Sequence, residues 1–145
     1  MFSKSTEYAL RATLYIAQKG SEEKKIGIDE VSKAIGSPRS FTAKILQALT
    51  KKNKIISSVS GPHGGFYITE KNKNLPVRSI LEAMEEYQLF DKCVLGLKKC
   101  SDAKPCPMHS KYKIIKKQLH NLFETTTILN LANDIKTGEV FIKLK

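Results

Sequence analysis

A chain of 145 residues, 41% of them hydrophobic, can bury one domain's core and has no low-complexity stretch that would stay unfolded. No apolar run approaches the roughly 20 residues that span a bilayer. The opening Met1-Phe2-Ser3-Lys4 passes straight into a helical pattern without a signal-peptide core, so a cytoplasmic protein without membrane contact is expected. The net charge of +11 is denser in the first half, with 13 basic against 6 acidic residues through Leu75 and 12 against 8 from Pro76 onward. That suits a phosphate backbone, but an acidic protein or membrane surface would fit the charge as well.

The first predicted element is a helix over 5–19, apolar on nearly every side, with Glu7 in its first turn and Gly20 as its stop. Such a helix belongs at the centre of a domain. A charged loop leads to a short helix over 28–35, with Asp29 and Glu30 at its start and Gly36 at its end. Ser37 is placed to cap the next helix and Pro38 to open it, where a missing N–H costs nothing. In that helix, 38–52, Phe41, Ile45, Leu46 and Leu49 pack on one side. Arg39, Ser40, Thr42, Lys44, Gln47 and Lys51 are read on the other. Two β-prone runs, 55–60 and 66–69, are joined by Gly61-Pro62-His63-Gly64-Gly65. Helix, tight turn, helix and hairpin make the outline of a winged helix-turn-helix.

A polar turn is expected over 71–74, then a helix opened by Leu75-Pro76-Val77 with Val77, Ile80, Leu81 and Met84 on its inner side. Helical periodicity lapses over 88–107. It resumes in a long helix over 108–125, where Tyr112, Ile115, Leu119, Leu122 and Phe123 form a stripe that the head can cover only in part, so a two-fold dimer is expected in preference to intramolecular packing alone. A short helix over 127–136, a stop at Gly138 and a strand or docked tail over 139–144 complete the chain. The expected fold is mainly α with a small β-hairpin wing: a winged helix-turn-helix head (1–87), a cysteine-bearing sensor loop (88–110), and a long C-terminal dimerisation helix with its tail (111–145).

The second helix of a helix-turn-helix sets its N-terminal residues against base edges while its flanks and the wing hold phosphates. The candidate DNA contacts are therefore Ser37, Arg39, Ser40, Thr42, Lys44 and Gln47 on the helix and Ser58, Ser60, Gly61, His63 and Gly64 on the wing. Arg39 has the guanidinium that pairs bidentately with guanine. The wing glycines lack a Cβ that would hold the backbone away from a phosphate.

Cys93, Cys100 and Cys106 are an odd number in one short segment, with six and five residues between them, which argues against a disulfide framework. Two residues separate Cys106 from His109. Three thiols and an imidazole in one loop can converge on a metal; a Cys₃His zinc site, an iron-sulfur cluster, a thiol switch and a metal-free loop all fit the spacing. Lys92, Lys98, Lys99 and Lys104 would offset the charge of a thiolate-ligated cluster. No Ser/His/Asp set, phosphate-cradling loop or paired-acid pocket points to an enzyme.

Glu7-Tyr8-Ala9-Leu10-Arg11-Ala12, the wing run from Ser58 to Tyr67 and a cysteine trio before a long helix together resemble winged-helix transcription regulators of the Rrf family, of the IscR and NsrR type. The resemblance implies a homodimer on pseudo-palindromic double-stranded promoter DNA. It also implies an iron-sulfur cluster, [2Fe-2S] being the favoured form, on Cys93, Cys100, Cys106 and His109, the last matching the histidine ligand of the IscR-like members. In some relatives a carboxylate near the partner's first helix completes the set, and Glu7 is the residue available for that. The chain departs from the family at Ser60, usually arginine, and at His63, often glycine. The rival readings are a cluster-free or zinc- or thiol-controlled repressor, and a basic metal- or redox-handling protein that uses the winged helix for protein contacts.

Overall fold

The computed structural model describes residues 1–51, 54–137 and 142. The Ser3 hydroxyl accepts the Thr6 N–H at 3.2 Å and so caps helix α1 (Lys4–Lys19), whose buried side is built from Thr6, Ala9, Ala12, Thr13, Ile16 and Ala17. Three alanines on that side let neighbouring backbones approach closely. Helix α2 (Ile28–Ile35) ends where Gly36 turns left-handed at φ 69°, donating its N–H to the Ser32 carbonyl, as the sequence predicts. Helix α3 (Arg39–Lys51) follows α2 after three residues and buries Thr42, Ile45, Leu46 and Leu49.

The wing is an antiparallel pair, β1 (Ser57–Val59) and β2 (Gly65–Tyr67), in register Ser57 to Tyr67, Ser58 to Phe66 and Val59 to Gly65. It is anchored by a third segment that the sequence does not announce. Ile26 and Phe66 exchange both backbone hydrogen bonds at 2.8 Å, so the loop before α2 is paired to the inner edge of the wing. Ile55 and Ile56, predicted as strand, are instead core residues that lead into β1.

The stretch expected as a polar turn is one helical turn, α4 (Glu70–Lys73), because Thr69 caps it by accepting the Asn72 N–H. Helix α5 (Arg78–Ala83) is followed by a 3-10 helix (Tyr87–Asp91), turns carrying the cysteines, helix α6 (His109–Thr125) and helix α7 (Ile128–Lys136). Thr127 and Asn130 close α7 with a reciprocal capping box.

Helix α1 is the centre of the head, touching α2, α3, α5 and α7. Of these, α7 comes from the far end of the chain. Ile128 and Ala132 enter the main core, and the strand-like contact of Pro76 with Thr127 ties the start of α7 to the approach to α5. The C-terminal segment thus completes the head after the chain has left it through α6. The expected stop at Gly138 and the tail over 139–144 lie outside the described residues, apart from Ile142.

Helix α6 has a different character, since none of its side chains is fully buried. Phe123 packs on Phe90 and Phe2, with ring centroids 5.2 and 5.7 Å away, and holds one end of the helix to the head. Ile114, Ile115 and Leu122 stand 64%, 48% and 53% exposed.

Candidate nucleic-acid interface and metal centre

The outward side of α3 carries Arg39, Ser40, Ala43, Lys44, Gln47 and Lys51, all exposed. Arg39 Nε donates to Asp29 Oδ1 at 2.7 Å across the turn, and both side chains are mostly in water. An exposed pair of this kind is worth about 0–1 kcal/mol, so Arg39 can exchange that partner for a base or phosphate at little cost.

Two expected contacts are corrected. Thr42 lies on the core side, fully buried, with its hydroxyl donating to the Pro38 carbonyl at 2.9 Å. Its spacing from Ile45, Leu46 and Leu49 is that of an inward-facing residue, and its hydroxyl is satisfied inside the helix. Ala43 occupies the outward position instead. Ser37 is also buried, and its hydroxyl faces the Pro38 carbonyl at 3.4 Å rather than the free N–H groups of α3. It is neither the expected cap nor an exposed contact.

On the wing, Ser58, Ser60, Gly61 and His63 are exposed. Gly61 adopts φ 101° at the turn, and Gly64 sits so close to the end of β1 that a Cβ would meet the Val59 carbonyl oxygen at 2.0 Å. The tight tip therefore requires glycine at Gly64 for space and at Gly61 for backbone conformation.

The second group is assembled by the loop after the 3-10 helix. The sulfurs of Cys93, Cys100 and Cys106 lie within 4.8 Å of one another. Cys93 Sγ is 3.6 Å from Cys106 Sγ, and His109 Nδ1 is 3.3 Å from Cys100 Sγ. All four residues predicted as ligands thus line one small cavity, closed by Tyr112 and Lys116 from α6. The backbone N–H of Leu97 is the main influence drawing the Cys93 thiol down to about 7; the N–H of Leu95 and the neighbouring thiols add to it against partial burial. Soft donors converging from a loop, one already inclined to thiolate, with four lysines in the same segment, fit a thiolate- and imidazole-bound metal or cluster.

His109 stands at the first position of α6, and its other nitrogen, Nε2, lies 2.8 Å from Asp102 Oδ1. Lys113, one turn along α6, grips both oxygens of the same carboxylate at 2.9 and 3.0 Å. The hydrogen bond from His109 and the Lys113 ammonium hold the Asp102 carboxyl below its usual range. Nothing in the spacing of a single aspartate in a charged loop points to this role. His120, read as a surface or interface residue, is half-buried between the Tyr87 hydroxyl at 3.1 Å and Asp91 Oδ1 at 3.2 Å, apart from the cysteines.

The family model of the Rrf2 iron-dependent transcriptional regulators matches residues 2–134. The chain belongs to the Rrf2 family. It is 32% identical over 135 residues, 92% of either chain, to a protein of Aquifex aeolicus (strain VF5) named as an HTH-type transcriptional regulator. It is 24% identical over 127 residues to the HTH-type transcriptional regulator IscR of Serratia proteamaculans (strain 568), covering 88% of this chain and 76% of that one. Two solved structures share the fold. T. potens IscR aligns with a TM-score of 0.72 over 97% of this chain and 92% of its own, at 17% identity. CymR, the global cysteine regulator of B. subtilis, aligns at 0.71 over 92% and 96%, at 16% identity. This Rrf2 chain is accordingly a DNA-binding transcriptional regulator and not an enzyme. Among the described residues, no helix is long and apolar enough to cross a membrane.

Proposed function

We propose that this Rrf2 regulator works in the cytoplasm as a homodimer on pseudo-palindromic promoter DNA, with its DNA affinity set by an iron-sulfur cluster of the [2Fe-2S] type held by Cys93, Cys100, Cys106 and His109. The observation that carries the reading is the approach of three sulfurs to within 4.8 Å, with an imidazole nitrogen 3.3 Å from one of them. A bound cluster supplies a centre that oxidants, nitric oxide or iron shortage can alter or remove.

The chain's own residues connect that centre to DNA. The loop leaves the head at the 3-10 helix and returns at the first residue of α6. Ordering it fixes the start of α6, and the exposed Ile114, Ile115 and Leu122 are the face through which two copies of α6 would pair. A change of loop order then alters the spacing of the two α3 helices. Two-fold proteins read half-sites about 34–36 Å apart, so spacing is a sensitive control of affinity. On each half-site Arg39 and Ser40 face the bases, Lys44, Gln47 and Lys51 hold the flanks, and Ser58, Ser60, Gly61, His63 and Gly64 bring the wing to the backbone.

A second reading, thiol control without a cluster, is favoured by the 3.6 Å approach of the Cys93 and Cys106 sulfurs and by the lowered Cys93 thiol. Protein reconstituted without oxygen separates the two. Iron and sulfide in equal amounts with visible charge-transfer absorption support the cluster; a colourless protein that closes a disulfide on mild oxidation overturns it.

A further inference from the structure

The contact of Asp102 with the far side of His109 has a consequence for the donor set. An imidazole ligand offers one nitrogen to the metal, and the proton on the other fixes which one. Here Nδ1 is the nitrogen turned toward Cys100, at 3.3 Å, while Nε2 faces the carboxylate at 2.8 Å. An ionised carboxylate can only accept, so Nε2 must be the nitrogen that carries hydrogen.

Asp102 is itself held on both sides. The turn that presents it is closed by the Ser101 hydroxyl, which accepts the Lys104 N–H, and by the Ser101 N–H, which donates to the Lys104 carbonyl, both at 3.2 Å. Lys113 grips its carboxylate from α6, four residues after His109 and so on the same helical face. As a surface ion pair this would contribute little to stability. Its effect is on the orientation of a ring whose other edge meets the sulfurs.

We propose that Asp102, anchored by Lys113, is the positioning carboxylate of the Cys₃His site: it holds the Nε2–H of His109 so that Nδ1 is the nitrogen delivered to the cysteines. This rests on the reading of His109 as the fourth ligand. A carboxylate in this place also raises the basicity of the imidazole, and losing such a partner characteristically weakens metal binding by about 10- to 100-fold.

The test uses the reduced, metal-free full chain and cobalt(II) as the probe. Cobalt affinity and the ligand-field spectrum are measured for the wild type, Asp102→Asn, His109→Ala and the double variant, and long-range proton–nitrogen NMR reads the His109 tautomer without metal. The expected result is the Nε2–H tautomer in the wild type and its loss in Asp102→Asn. Cobalt affinity should fall about 10- to 100-fold in Asp102→Asn, with no further loss when Asp102→Asn is added to His109→Ala. Equal tautomers and affinities in wild type and Asp102→Asn would overturn the proposal while leaving His109 a ligand, as would an equal loss in the His109→Ala background. A cobalt spectrum unchanged by His109→Ala would overturn the ligand reading itself, and the proposal with it.

Discussion

Glu86 accepts the backbone N–H of Ser3 at 3.0 Å, so the residue that opens the path to the cysteine loop is fastened to the first turn of the central helix. The same carboxylate receives the hydroxyls of Ser3 and Thr6. Beside it, Phe2 stacks edge-on to Phe90 and Phe123, and Tyr87 reaches His120 and Glu124 on α6. The start of α1 and the C-terminal turns of α6 therefore meet at one junction, where a rearrangement of the loop would be felt by the head.

The junction's stability should depend on pH through Glu86. Burial would raise its carboxyl, but the Ser3 and Thr6 hydroxyls and the Ser3 N–H outweigh burial and hold it below its ordinary value of 4.5. A group lowered on folding contributes stability that is present above the unfolded value and lost as pH falls through the folded one. Glu86→Gln is expected to cost about 1 kcal/mol near pH 7 and progressively less as pH falls below the ordinary carboxyl value of 4.5. Thermal unfolding of both proteins across that range measures it.

Residues on the two sides of α3 should separate cleanly. Arg39→Ala is expected to relax base preference at one position of each half-site by about 1–3 kcal/mol, whereas Lys51→Ala weakens every duplex alike and lowers the salt slope by about one ion. Thr42→Val leaves DNA affinity intact and shows only in thermal stability, because Thr42 faces the core. Anisotropy titrations on matched duplexes at two salt concentrations check all three.

The wing glycines differ in what they tolerate. Gly64→Ala places a methyl group 2.0 Å from the Val59 carbonyl oxygen and should distort the tip and reduce DNA affinity. Gly61→Ala meets no neighbouring atom and suffers only the strain of φ 101°, about 1 kcal/mol. The DNA affinities of the two variants are expected to rank accordingly.

The uncovered face of α6 makes a prediction about assembly. If two copies pair through α6 as proposed, Leu122→Glu, at a position 53% exposed in the single chain, should leave the head folded and keep the protein monomeric. Sedimentation velocity distinguishes this from a monomeric wild type, and circular dichroism verifies the fold.

Much of this architecture was legible in the residues. The left-handed stop at Gly36, the inner faces of α1 and α3 and the hairpin at Gly61 to Gly65 follow from local rules of capping, periodicity and turn chemistry, and the four ligand candidates come together as their clustering implies. The hydroxyl of Thr42 suggests an outward residue, whereas its spacing matches the buried row of α3. Helix α4 was hidden by its lack of apolar residues, since Thr69 and not packing defines it. That α7 returns to α1 is a long-range choice without a local signature, and the pairing of Ile26 with Phe66 is another. Asp102 was invisible for the same reason: its meaning lies in what His109 and Lys113 do around it.

In the proposed function, the state of the cysteine loop sets DNA affinity. This dependence is read most directly from the binding of the wild-type protein to one palindromic duplex at fixed salt, first reconstituted with iron and sulfide without oxygen, then stripped of metal and kept reduced. Curves separated by at least about tenfold are expected, the scale of a typical coupling between sites, with the separation abolished in Cys100→Ala. Superimposable curves for a protein shown to carry its cluster would contradict it.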